Sequence, residues 1–458
     1  MNKFLIKIKK ILKLKFDLIN NERVKRNLLN AFPFWISAFV SGVIAVLYAK
    51  LFGYAEMGTH LIFVKCKWAL FVITPVCFLL AWWLVNKFSP YARGSGIPQV
   101  SAAIELANPR RYHKVNLLLS LKIIFIKIIS SLIFVFGGGV IGREGPTIQI
   151  SASIFKKVND MLPEWFPKIS KQNMIVTGGA AGLAAAFNTP LGGIVFAIEE
   201  LTKTHFNFFK SALLTGVIIS GLTALSILGP YLYLGYPLLG DKISPYTILI
   251  IIPLAVITGL AGCGCGEIIL YLMKKRTALP KKIHRFLYIL ICGLIIAVLA
   301  VFIDEKVLGS GKGIMITTLF TAQKNLEWYV PFLRMSGSII SFSTGAAGGI
   351  FAPSLSAGAS IGAVVAGWFH LSATSTNLII LCGMAGFLTS ITRSPFTCAI
   401  LVLEMTNSHN VIFYILLTAL VSNLFAGYIS RHSFYDKLKD KFLKEIMDED
   451  ENKLVIER

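Results

Sequence analysis

The chain is short of charge. Of its 458 residues only 15% are Asp, Glu, Lys or Arg, while 55% are hydrophobic and the mean hydropathy is +0.70. A water-soluble domain carries about a quarter charged residues, so most of this surface faces something other than water. Strands of alternating polar and apolar residues are missing too, which argues against a transmembrane barrel and for helices. No Cys-x-x-Cys spacing occurs among the seven cysteines (Cys66, Cys77, Cys263, Cys265, Cys292, Cys382 and Cys398). Most lie in apolar stretches and read as small core residues, not as disulfides or zinc ligands. None of the seven histidines belongs to a His-Glu-x-x-His pattern, so no metal, cofactor or enzymatic activity is expected. The N-terminus has no uninterrupted apolar core and no small-residue cleavage site, which excludes a signal peptide.

What the chain does have is long apolar runs. They fall at 32–48, 68–85, 115–136, 209–228, 246–273, 286–302, 378–403 and 411–429. A bilayer core about 30 Å thick takes about 20 apolar residues per helical span. The pattern predicts an all-α polytopic membrane protein, seated in the cell's inner (plasma) membrane. The net charge of +22 comes largely from the first 26 residues and from short loops at 274–276 and 281–285. Basic loops beside apolar spans are what the positive-inside bias produces, so nucleic acid is not the expected partner. Residues 1–30 read as a basic amphipathic helix on the cytoplasmic surface, and both termini are expected on that side.

The chain also repeats itself. Residues 179–202 resemble 383–406, with Gly182, Pro190 and Glu199 matching Gly386, Pro395 and Glu404 at offsets of 204, 205 and 205. Upstream, Gly94-Ser95-Gly96 has a counterpart in Gly309-Ser310-Gly311, and a glycine-rich element ending in Pro146 has one ending in Pro353. Many transporters are built from such halves, inverted with respect to each other, with the substrate site between them near mid-membrane. The expected division is 31–238 for the first half, 239–430 for the second and 431–458 for a short cytoplasmic tail. The loop at 230–244 is the expected junction.

Three segments share a design: Gly94-Ser95-Gly96-Ile97-Pro98, Gly142-Arg143-Glu144-Gly145-Pro146 and Gly348-Gly349-Ile350-Phe351-Ala352-Pro353. Each places glycines before a proline and a run that can be helical. Proline suits a first helical turn, and glycine lets backbone approach a ligand. Each segment is thus a candidate helix N-terminus with free N–H groups and the positive end of the helix dipole. Lipid cannot satisfy those groups, whereas an anion can. Partial charges of about half a unit hold an anion loosely enough for release. Hydroxyls of Ser95 and Tyr435 would complete the shell.

Glu144 is a carboxylate among those N-termini, where an intramembrane charge costs at least ~2.5–3.5 kcal/mol. Charged, it would compete with an anion as a tethered blocker; protonated, it would release the path. Glu199 and Glu200 close an apolar run. A solvated helix cap accounts for at least one of them, while one turned inward would relay protons toward Glu144.

These segments, with Tyr435 after the last span, closely resemble the CLC family of chloride channels and proton-coupled chloride transporters. The resemblance runs in order from about residue 35 to 440. It implies a CLC-type inverted-repeat bundle of broken and tilted helices, working as a homodimer with one pathway per subunit. By position, Ser95, Tyr435 and the N–H groups of Ile350 and Phe351 resemble the ligands of a bound chloride. Gly94, Gly96, Gly142, Arg143, Gly145 and Gly349 belong to the supporting motifs. Glu144 corresponds to the gating glutamate, and Glu200 to the internal proton glutamate that marks exchangers. Ser95 fits chloride-selective members. Ala347 departs from the family, which often has proline there. The chain ends too early for a cytoplasmic CBS pair, so a prokaryotic type without nucleotide regulation is expected. The implied function is chloride/proton exchange, and a passive chloride channel of the same fold is the alternative. An intramembrane hydrolase using Ser95 would need a nearby histidine base, and the histidines lie mostly in loops or at span ends.

Overall fold

In lipid every backbone N–H and C=O must be paired inside the chain, and the apolar runs accordingly become helices. A computed structural model describes residues 13–14, 16–202, 210–229, 232–240, 245–322 and 324–456, and among these residues there is no strand, only two isolated bridges. Of residues 1–30, where a basic amphipathic helix was expected, 1–12 and 15 lie outside the described residues, and the remainder is interrupted by a non-helical stretch at 18–21. The first half comprises α1 (Glu22–Cys66), α2 (Leu70–Phe88), α3 (Ile97–Leu106), α4 (Leu121–Phe136), α5 (Glu144–Asp160), α6 (Lys171–Phe187), α7 (Pro190–Phe196) and α8 (Lys210–Leu228). The second comprises α9 (Pro245–Ala278), α10 (Lys282–Val298), α11 (Lys312–Phe320), α12 (Val330–Ser343), α13 (Phe351–Trp368), α14 (Ala373–Thr392), α15 (Pro395–Thr406) and α16 (Ile412–Ile429). Apart from the one-turn helix Val115–Leu118, each helix of the first half has a counterpart eight helices later. A last helix, α17 (Phe434–Ile456), stands alone.

Among the described residues eight stretches are long and apolar enough to cross a membrane, but they do not coincide with the eight apolar runs of the sequence. The run at 32–48 is the middle of α1, whose 45 residues span about 67 Å at 1.5 Å per residue. So long a helix crosses a 30 Å core only with tilt or overhang. It continues unbroken through residue 30, where the N-terminal segment was expected to give way to the first half.

The run at 378–403 is not one span but two helices. α14 ends at Thr392, Arg393 takes a left-handed conformation (φ 64°), and α15 starts at Pro395. Proline disfavours a helical residue before it and cannot continue the hydrogen-bond ladder. The first half breaks at the equivalent place, with Asn188 at φ 58° before Pro190.

One span is missing from the apolar runs of the sequence, although its glycine–proline start was marked. α13 is rich in Gly, Ala and Ser and is enclosed by protein over nearly its whole length. A helix that never meets lipid needs close packing instead of bulk. A Cβ on Gly358 would lie 2.3 Å from the Gly383 carbonyl oxygen, and one on Gly383 would lie 2.4 Å from that of Gly358. The backbones of α13 and α14 touch at that point.

α17 is amphipathic. Phe434, Leu438, Phe442 and Ile446 recur every four residues and are buried, so they form one face of the helix. That face packs on α3 and carries the neighbouring Tyr435 into the interior.

Candidate functional site

Gly142 and Gly349 hydrogen bond to each other in both directions, each N–H donating to the other's carbonyl at 2.7 Å. α5 starts two residues after the first glycine and α13 two residues after the second. Neither Arg143 nor Ile350 caps its helix through a side chain. The two N-termini are thereby clamped together. A Cβ on Gly349 would lie 3.0 Å from both the Gly142 oxygen and the Gly145 nitrogen, so no larger residue fits without a shift.

The third glycine element joins the same point. Gly94 N donates to Ala346 O at 2.9 Å, and Gly348 N donates to Gly94 O at 3.1 Å. Gly96 caps α3 with φ 109°, a conformation that L side chains rarely adopt. The Ser95 hydroxyl lies against Gly145, where an added Cβ would come within 2.2 Å of it. The Tyr435 ring meets the Phe351 ring edge-on at 6.1 Å. Ser95 is 2% exposed and Tyr435 1%, and neither hydroxyl has a hydrogen-bond partner among the described residues. Six other buried hydroxyls, on Ser41, Thr74, Ser101, Ser151, Thr177 and Thr189, also lack one, so it is the location of these two that marks the site. Ser95, Tyr435, Ile350 and Phe351, named separately from the sequence, thus line one small region.

Glu144 lies there as well, 1% exposed. Its carboxylate turns back toward its own helix start, where a Cβ on Gly142 would meet Oε2 at 2.3 Å. Oε2 has no partner, while Oε1 accepts a hydrogen bond from the Tyr233 hydroxyl at 3.1 Å. The Arg143 guanidinium lies 5.9 Å from the centre of the Tyr233 ring, and Lys312 Nζ lies 4.4 Å from it. Tyr233 is a functional neighbour that sequence reasoning missed. It sits in the expected junction loop beside Tyr231 and Tyr236, and nothing in that spacing singles it out.

Glu200 is buried and accepts a hydrogen bond from Ser394 Oγ at 2.7 Å. A π-helical turn at Ala197–Thr202 carries the glutamate pair. Glu199 does something else. It accepts from Phe396 N at 3.2 Å, Thr397 N at 2.6 Å and Thr397 Oγ1 at 2.7 Å, capping α15 of the other half. Its counterpart Glu404 accepts from Leu191 N at 3.1 Å and Gly192 N at 2.6 Å, capping α7. The pair is reciprocal. Glu199 is therefore a cap, as one of the two was expected to be, but it caps the opposite repeat.

Two buried cations support the Gly-Ser-Gly loops, and the sequence reading passed over both. Lys127 Nζ donates to Gln149 Oε1 at 2.6 Å, and that oxygen lies 3.0 Å from the Cβ position of Gly96. Arg334 donates to the carbonyls of Lys306, Val307, Leu308 and Gly309 and to Ser356 Oγ. Lys127 and Arg334 are 207 residues apart, as are Gln149 and Ser356. A charged residue inside an apolar run was the available signal.

Residues 77–427 match the family described as voltage gated chloride channel. The H(+)/Cl(-) exchange transporter ClcA of Klebsiella pneumoniae is 29% identical over 422 residues, covering 89% of this chain and 85% of its own. ClcA of Cronobacter sakazakii is 29% identical over 381 residues, covering 80% and 78%. The crystal structure of a slow cyanobacterial Cl-/H+ antiporter superposes with a TM-score of 0.77 at 23% identity, over 91% of this chain and 98% of its own. A CLC-type fluoride/proton antiporter superposes at 0.75 and 17% identity, over 91% and 98%. At these identities the likeness of the two structures speaks for the fold.

Proposed function

The chain belongs to the voltage-gated chloride channel family, and from that premise we propose that it exchanges chloride for protons across the inner membrane. The observation that carries this reading is the meeting of two unpartnered hydroxyls, on Ser95 and Tyr435, with the clamped N-termini of α5 and α13. Chloride is the ligand that suits this set. It takes O–H donors from Ser95 and Tyr435 and N–H donors from Ile350 and Phe351, with helix dipoles in place of a full counter-charge. Gly94, Gly96, Gly142, Gly145 and Gly349 keep the backbone close enough for those donors to converge.

Glu144 competes for the same donors. Ionised, it blocks the anion; protonated, it loses its attraction for the dipoles and leaves. Each anion passage is thereby tied to a proton. Glu200 supplies the inward leg of the proton route, and its buried position beside Ser394 supports this role over that of a surface cap. That carboxylate favours exchange over the passive channel. The protein is read as a homodimer in the bilayer with both termini cytoplasmic, handling chloride and protons and no nucleic acid.

The test is Glu144→Ala in proteoliposomes. Chloride flux should persist while chloride-driven proton movement disappears. Retained proton coupling in that variant would remove Glu144 from the gate.

A further inference from the structure

We propose that Tyr233 is the positioning residue of the gate: its hydroxyl holds the Glu144 carboxylate in the blocking pose, so that the loop joining the two halves sets how readily the path opens. The inference rests on the reading of Glu144 as the gate. It assigns a role to a residue outside every glycine motif.

Tyr233 is 3% exposed, and its O–H donates to Glu144 Oε1 at 3.1 Å. The carboxylate also feels the backbone N–H of Glu144 at its own helix start, and the bond from Tyr233 is the side-chain hydrogen bond that orients it. The tyrosine is itself held firmly. Its ring meets Phe187 at the end of α6 edge-on at 4.9 Å, with Lys312 and Arg143 against the ring. Its neighbour Leu234 donates a backbone hydrogen bond to Met405 O at 3.2 Å, and Asn377 Nδ2 donates to Leu238 O at 2.8 Å. The loop is therefore tied to α14 and α15 of the second half while its hydroxyl reaches the gate of the first.

A phenol O–H bonds a charged carboxylate more strongly than a neutral acid. The contact thus favours the ionised, blocking form and resists release. The other charged or titratable groups around Glu144 are Arg143 beside it, Tyr48 and Glu56 on α1, Lys312 on α11 and Tyr435 on α17. Tyr233→Phe leaves all of them in place and removes one oxygen.

The test is chloride efflux from proteoliposomes as a function of pH for the full chain, Y233F, E144Q and the double variant. The expected result is an upward displacement of the Y233F midpoint by about one pH unit. E144Q should lose its pH dependence, and Y233F should add nothing in that background. A midpoint does not depend on how much protein folds, so a poor yield does not blur the comparison. A Y233F profile that superposes on the parent, or moves to lower pH, while E144Q loses its dependence overturns the role of Tyr233 and leaves the gate standing. A Y233F displacement that persists in the double variant also overturns it, since the hydroxyl then acts elsewhere. An E144Q profile identical to the parent overturns the gate and this inference together.

Discussion

Eight buried hydroxyls among the described residues have no partner, and what sets Ser95 and Tyr435 apart is their place at the clamped helix starts, beside a carboxylate oxygen in the same condition on Glu144. Each unmade bond costs on the order of 1–3 kcal/mol, a standing cost that a bound anion would offset at the hydroxyls. Glu200 is placed differently, with a serine partner and no part in the anion cradle. Glu200→Gln should therefore leave chloride movement largely intact and abolish proton coupling; normal pumping by that variant would show that the relay lies elsewhere. Gly349→Ala tests the cradle itself. Its methyl group would meet two backbone atoms at 3.0 Å, so a stability loss of about 1–3 kcal/mol is expected from overpacking, together with weaker chloride binding by calorimetry. The helix starts that carry Ser95, Glu144, Ile350 and Phe351 were legible in the sequence because a glycine–proline pattern announces itself, while Ile350 and Phe351 themselves came from the family resemblance. Tyr233 was not legible. Its role comes from pairing with a residue 89 positions earlier, and no local pattern encodes such a partner.

At the scale of helices, the sequence signal was bulk hydrophobicity, and it located the elements that meet lipid. α13 escaped because its Gly, Ala and Ser dilute its hydropathy, and Gly358 and Gly383 let it touch α14. The break between α14 and α15 was hidden inside an apolar run, although Pro395 marked it. Glu199 and Glu404 hold the short helices α7 and α15 together across the halves. Removing either carboxylate leaves two amides of the opposite helix unpaired. Glu404→Ala and Glu199→Ala should each lower stability by about 1–2 kcal/mol, read as a drop in the thermal midpoint of the detergent-purified protein. A loss confined to one of the two would contradict the reciprocity.

The whole molecule is organised by that reciprocity. Gly142 bonds Gly349 and is bonded by it; Glu199 caps α15 as Glu404 caps α7. Such exchange is what a two-fold relation between the halves produces. The sequence offset between partners drifts, from 215 at Gly94 and Gly309 to 207 at Lys127 and Arg334 and 205 at Glu199 and Glu404. For that reason only the best-kept segments betrayed the repeat. Duplication also explains why the site is asymmetric. Two equivalent helix N-termini face each other, yet one begins with Glu144 and the other with Phe351. One half contributes a carboxylate and the other an apolar wall.

The central claim is that anion and proton compete at one place. Its direct test is a chloride gradient imposed on proteoliposomes containing the unaltered chain, with external pH recorded. Chloride leaving the vesicles should draw protons inward against no proton gradient of their own. Chloride flux with a flat pH trace would contradict the account and leave a passive pathway in its place.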